Sequence, residues 1–98
     1  MLGLLAFKNK NYIIAEKLFI KAIRLEPYFH LLWDNLAKVY RIQNKLEKAK
    51  KAFENLIKID PKNIEALIAI GTNYIKLAEY EEGINAYKKA LSLNDKNP

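Results

Sequence analysis

The sequence predicts an all-α fold, a solenoid of stacked antiparallel helix pairs, and three observations carry that prediction. A 34-residue interval recurs along the chain, each interval holds two apolar runs with helical spacing, and helix breakers are scarce, with three glycines and three prolines in 98 residues. The interval separates Pro27 from Pro61 and links Tyr12, Leu46 and Tyr80, then Phe19, Phe53 and Tyr87. It also links Ala15, Ala49 and Gly83, then Ala22, Leu56 and Ala90, and Leu25, Ile59 and Leu93. Gly3, Ala37 and Gly71 form a column of small residues, while Trp33 answers to Leu67 and Tyr40 to Tyr74. A period this consistent marks an internal repeat rather than one irregular domain.

The elements follow in order. A short front helix is expected over Leu2–Lys8 and a full second helix over Tyr12–Leu25. Leu32–Gln43 carries Leu32, Trp33, Leu36, Ala37, Val39 and Tyr40 at amphipathic-helix spacing, and Leu46–Ile59 repeats the pattern with Leu46, Ala49, Ala52, Phe53, Leu56 and Ile57. Between them Asn44-Lys45 leaves room only for an antiparallel neighbour. Asp60-Pro61 stops the helix, because proline disfavours helical geometry in the residue before it and cannot donate a helix hydrogen bond. The last pair is expected over Ile64–Leu77 and Glu79–Leu93. One array thus divides into residues 1–29, 30–63 and 64–97. Met1 falls at the sixth position of a repeat, which leads us to expect a cut through a longer array.

The residues that recur resemble the tetratricopeptide repeat. Trp33, Leu36, Ala37, Tyr40, Ala49, Phe53 and Pro61 follow its pattern; so do Ile70-Gly71, Tyr74, Tyr80, Tyr87 and Ala90, and Leu2-Gly3, Ala15, Phe19, Ala22 and Pro27. Leu67 replaces the usual tryptophan, Leu56 a small residue, Gly83 the usual alanine and Asp95 the usual proline. Gly83 is expected to cost its helix about 1 kcal/mol relative to alanine. The resemblance implies a right-handed solenoid. Large side chains at Trp33, Tyr40, Phe53, Tyr74 and Tyr87 are expected to fill the spaces between pairs, since one pair cannot bury its own apolar face.

Composition narrows the function. Apolar residues make up 51% and charged residues 29%, which suits a folded chain of one domain. No apolar run approaches the roughly 20 residues of a membrane span, and Met1–Phe7 is too short and lacks the basic start of a secretory signal. With no cysteine the default compartment is the reducing cytoplasm, and His30 alone cannot make a zinc site, so no metal or cofactor is expected. One serine (Ser92), one threonine (Thr72) and one histidine give no nucleophile with a base and an orienting third group, and the carboxylates sit at helix ends or on polar faces; no enzyme is expected.

The resemblance implies a scaffold that binds a peptide or protein along a concave surface lined by the first helix of each pair. One stripe of each first helix is left over once the core stripe is assigned. It comprises Leu4, Phe7 and Lys8; then Leu31, Asp34, Asn35, Lys38, Arg41 and Ile42; then Glu65, Ile68, Ala69, Thr72, Ile75 and Lys76. Mixed apolar and cationic side chains would suit an apolar segment carrying acidic residues. Relatives that grip acidic chaperone tails use a clamp of lysine, arginine and asparagine. Here only Asn35 stands at a clamp position, and Leu4, Glu65 and Ala69 occupy others, which argues against chaperone-tail binding.

Two other partner classes arise. The net charge of +6 lies in the first two copies, notably Lys45, Lys48, Lys50 and Lys51, and a basic patch can bind phosphates. Yet 15 of the 17 basic residues are lysine, and the cluster opens a second helix, away from the groove, which argues against nucleic acid. Self-association is the other alternative, because the end of a stack leaves Ile84, Tyr87 and Leu91 short of cover.

Overall fold

A computed structural model describes Gly3 and residues 11–94, and these described residues form helices without a strand. In order they are α1 (Tyr12–Leu25), α2 (His30–Ile42), α3 (Leu46–Ile59), α4 (Ile64–Lys76) and α5 (Tyr80–Asn94). The expected front helix Leu2–Lys8 lies, apart from helical Gly3, outside the described residues. Each helix packs against its neighbours in sequence, most extensively within the α2/α3 and α4/α5 pairs.

The helix boundaries follow local chemistry. Asn11 caps α1 by accepting from the Ile14 amide at 3.4 Å, and Asn63 caps α4 by accepting from the Ala66 amide at 3.0 Å. α2 begins at His30, two residues before the expected Leu32, because the extended Phe29 already offers its carbonyl to the Leu32 amide at 3.1 Å. Apolar periodicity registers only the first buried residue, and a helix can begin ahead of it. α4 stops at Lys76 and α5 starts at Tyr80, each one residue inside the expected limit.

Both turns within pairs are built alike. Asn44 and Ala78, 34 residues apart, adopt positive φ of 60° and 61°. At the first turn the Lys45 amide donates to the Tyr40 carbonyl at 2.8 Å and the Asn44 amide to Arg41 at 3.0 Å. At the second, the Glu79 amide donates to Tyr74 at 2.9 Å and the Ala78 amide to Ile75 at 3.0 Å. These paired bonds are the Schellman closure, which satisfies the last carbonyls of a helix and reverses the chain in a few residues.

The core is a continuous seam. Ala15, Phe19, Ala37, Val39, Ala49, Phe53 and Leu56 are sealed from solvent. Tyr40 and Phe53 are buried in the core, but Trp33, Tyr74 and Tyr87 are only half-buried. The half-buried Trp33 indole donates its N–H to the Pro27 carbonyl at 2.8 Å, fastening α2 to the turn that follows α1.

Gly83 is more than a weak helix former. A methyl group placed on it would lie 2.7 Å from Ile75 Cδ1 and 3.0 Å from the Gly71 carbonyl; one placed on Gly71 would lie 2.9 Å from the Tyr87 ring and 3.2 Å from the Gly83 carbonyl. The two glycines let α4 and α5 approach backbone to backbone, which offsets the propensity cost expected from the sequence.

Candidate functional site

The residues expected to line the groove stay out of the core wherever they are described. On α2, Leu31 and Ile42 are exposed, and Asp34, Asn35, Lys38 and Arg41 are half-buried. On α4, Glu65, Ile68 and Lys76 are exposed, and Ala69, Thr72 and Ile75 are half-buried. Leu4, Phe7 and Lys8 lie outside the described residues.

Their interactions run within a helix or to the second helix of the same pair. Asp34 and Lys38, one turn apart, form an ion pair at 3.0 Å. The Arg41 guanidinium sits over the Phe53 ring, 6.0 Å from its centroid. The Thr72 hydroxyl lies 3.1 Å from the Ile68 carbonyl and 2.7 Å from the Tyr87 hydroxyl. Ile75 rests over Gly83. Arg41 and Ile75, at the same register, thus both lean on the following helix, and Leu31, Ile68 and Lys76 stand freest on the stripe. Ile68 also belongs to a second surface: with Ile64, Tyr87, Ala90 and Leu91 it lines an apolar groove of about 480 Å³ at the end of the α4/α5 pair.

Sequence reasoning missed two further features. A groove of about 560 Å³ opens where Leu67, Ile70 and Tyr74 of α4 meet Ile57 of α3 and Ala86 of α5, rimmed by Glu54, Lys58, Glu82 and Lys89. Its counterpart around Trp33, Leu36, Tyr40 and Ala52 holds about 230 Å³. The larger indole fills where the leucine does not, so the Trp33/Leu67 difference was the available signal. The second is Asn73, fully buried in the column that holds Val39 one repeat earlier. Its amide donates to the Leu46 carbonyl at 2.9 Å, tying α4 to the start of α3, and its Oδ1 has no hydrogen-bond partner.

Electrostatics concentrate between pairs. The Lys50 ammonium is held well above the ordinary lysine range, first by its hydrogen bond to Glu79 and then by Glu47. Burial, helped by the charge of Glu54, pushes the Tyr74 hydroxyl up to about 12; the hydroxyl donates to that carboxylate at 3.3 Å. Burial likewise raises Tyr40, with Glu16 adding to the effect. Among the described residues no three metal-ligating side chains converge, and no helix is long and apolar enough to cross a membrane.

Helix pairs of 34-residue period, stacked through small and aromatic columns, define a helical-repeat solenoid. The tetratricopeptide repeat model matches residues 30–63 and again 64–97, and the chain belongs to that family. It is 32% identical over 96 residues to heat shock protein STI1 of Saccharomyces cerevisiae, covering 97% of this chain and 16% of that protein. It is 30% identical over 96 residues to the TPR repeat-containing protein MJ1428 of Methanocaldococcus jannaschii, covering 98% of this chain and 17% of that protein. The chain therefore spans about a sixth of either relative's length. Among solved structures, a crystal structure of MamA superposes with a TM-score of 0.93 at 29% identity, over 97% of this chain and 56% of that one.

Proposed function

We propose that the chain is a non-enzymatic protein-interaction scaffold that binds a segment of a protein partner along the first helices of its pairs. The observation that carries this reading is the unburied stripe on α2 and α4, where Leu31 and Ile68 are 47% and 48% exposed beside unburied lysines. Apolar side chains at such exposure offer contact area, and Lys38, Arg41 and Lys76 favour a segment with acidic residues between apolar ones. Membership of the tetratricopeptide repeat family supports the scaffold role.

Titration with an acidic-apolar peptide library, followed by amide chemical shifts, tests it. Shifts should fall on α2 and α4, and Lys38→Glu with Lys76→Glu should abolish them while leaving the fold intact. Binding that ignores the double reversal would overturn the assignment. A chaperone C-terminal tail peptide should produce no shifts, because Glu65 and Ala69 replace clamp cations.

The apolar groove of Ile64, Ile68, Tyr87 and Leu91 favours a second reading, self-association through that face. Sedimentation across a dilution series separates the two: stacking fades on dilution, whereas a heterologous complex with saturating peptide persists. Ile68→Glu with Leu91→Glu should remove any concentration-dependent association.

A further inference from the structure

Two ion pairs join successive helix pairs, and they occupy the same two register positions with their charges exchanged. Lys45 Nζ, in the α2–α3 turn, lies 3.0 Å from Glu16 Oε1 on α1. Lys50 Nζ, on α3, lies 2.8 Å from Glu79 Oε1 and 3.2 Å from its Oε2, in the α4–α5 turn. Glu16 and Lys50 are one 34-residue period apart, and so are Lys45 and Glu79. At the first junction the helix is acidic and the incoming turn basic. At the second the helix is basic and the turn acidic.

We propose that this exchange is an address that fixes which pair stacks on which: the α1 surface fits the Lys45 turn, the α3 surface fits the Glu79 turn, and crossed combinations are rejected. The alanine and phenylalanine columns of each junction do not make that choice, because they repeat, although Trp33 and Leu67, and Val39 and Asn73, differ on the incoming face. Ala15 and Ala49, and Phe19 and Phe53, offer the same shapes at the same register, and all four are sealed from solvent. A crossed stack would satisfy them equally well. It would not satisfy the charges. α1 stacked on the α4–α5 pair sets Glu16 against Glu79, and the α2–α3 pair of a second copy stacked on α3 sets its Lys45 against Lys50. The side chains of Glu16 and Lys50 are 18% and 19% exposed, against 42% and 32% for Lys45 and Glu79, so each like-charge contact would be screened chiefly on its turn side. Discrimination built from repulsion in the wrong complex is how otherwise similar interfaces stay specific. Glu47, which also pairs with Lys50 at 3.2 Å, is 67% exposed and sits on the same helix, so it travels with the α3 surface and leaves the address unchanged.

The test erases the address while keeping an ion pair at both junctions; Lys50→Glu also gives up the contact with Glu47 on its own helix. Glu16→Lys with Lys45→Glu gives both junctions a basic helix and an acidic turn. Lys50→Glu with Glu79→Lys gives both an acidic helix and a basic turn. Making all four substitutions restores two distinguishable junctions with every charge inverted. Each full-length variant is unfolded in denaturant, refolded at low and high protein concentration, and analysed by size-exclusion chromatography and circular dichroism. Wild type and the fourfold variant should recover one common species. Either double exchange should keep its helicity yet yield a several-fold larger oligomeric fraction that rises with concentration. If both double exchanges refold as cleanly as wild type, or if the fourfold variant misassembles as badly as they do, the pairs are local fasteners and the proposal fails.

Discussion

Residues 30–63 and 64–97 share a backbone plan and solve its packing differently. The earlier copy sets Ala37 and Ala49 at the close approach of its two helices, an indole at Trp33 and an apolar Val39 in the seam. The later copy sets Gly71 and Gly83 at that approach, Leu67 for the indole and a buried Asn73 for the valine. One reaches its density through side-chain volume, the other through backbone proximity. The difference follows position: Phe53, on a helix packed by both α2 and α4, is fully buried, whereas its counterpart Tyr87, on the last described helix, is half-buried, with its hydroxyl held by Thr72.

The largest test of that contrast removes the two rings. Phe53→Ala should lower unfolding free energy by about 4 kcal/mol, as expected for a sealed aromatic, and Tyr87→Ala by about 2 kcal/mol, because less area leaves solvent there. Urea denaturation of both variants measures the gap. Equal losses would mean that both copies draw on the same kind of packing.

Alkaline pH sharpens the comparison next. Tyr74 keeps its proton in the fold until about 12, against an ordinary value of 10. Unfolded tyrosine ionises first, so stability present below pH 10 drains away as pH rises toward 12. Lys50, whose folded value is also raised, acts in the same direction: its contribution is complete below the ordinary lysine value and is lost above it. Tyr40 is raised as well. Thermal melts between pH 9 and 12 (roughly the range set by these groups) should show Tyr74→Phe flattening the alkaline decline more than Tyr40→Phe. The reverse order would place the stronger coupling in the earlier copy.

How much of this was legible in the sequence depends on what repeats. Helices, turns and the aromatic columns were readable because a 34-residue period samples each position more than once, so most core positions show themselves as apolar in every copy. Departures were visible but not interpretable. Gly83 read as a helix-weakening substitution, since propensity belongs to one residue, whereas its packing value depends on Gly71 lying opposite. Leu67 read as a lost tryptophan, not as an opened groove. Asn73 shares the column of Val39, which marks a core position, but nothing in the sequence pointed to the Leu46 carbonyl that receives its amide. The stripe of Leu31, Lys38, Ile68 and Lys76 was readable as what the core leaves over, but the leaning of Arg41 and Ile75 onto α3 and α5 was not, because helical phase gives direction and not reach.

Gly71→Ala converts part of the later solution into the earlier one. Intrinsic propensity favours the change by about 1 kcal/mol, yet the new methyl meets the Tyr87 ring at 2.9 Å and the Gly83 carbonyl at 3.2 Å. Overpacking of this kind costs about 1–3 kcal/mol, so the variant should be destabilised by about 1 kcal/mol net. Adding Tyr87→Phe, which frees the ring from Thr72, should recover part of the loss. A stabilised Gly71→Ala would show that α4 and α5 can separate without penalty.

The smallest effect lies in the turns, where the two copies have the same backbone and different residues. Asn44 and Ala78 both sit at positive φ, near 60°. Asparagine tolerates that region through local hydrogen bonding, whereas the alanine Cβ crowds the following carbonyl, at a cost of about 1 kcal/mol. Glycine removes the crowding but adds freedom to the unfolded chain, which returns part of the gain. Ala78→Gly should therefore raise stability by about 0.5 kcal/mol, and Asn44→Gly should change it by less. Both turns keep their Schellman hydrogen bonds in either variant, since those involve backbone atoms alone. Calorimetric melts of the two variants side by side separate the outcomes. If Asn44→Gly gains as much as Ala78→Gly, side-chain tolerance at that register is irrelevant, and the alanine in the later turn is as well accommodated as the asparagine in the earlier one.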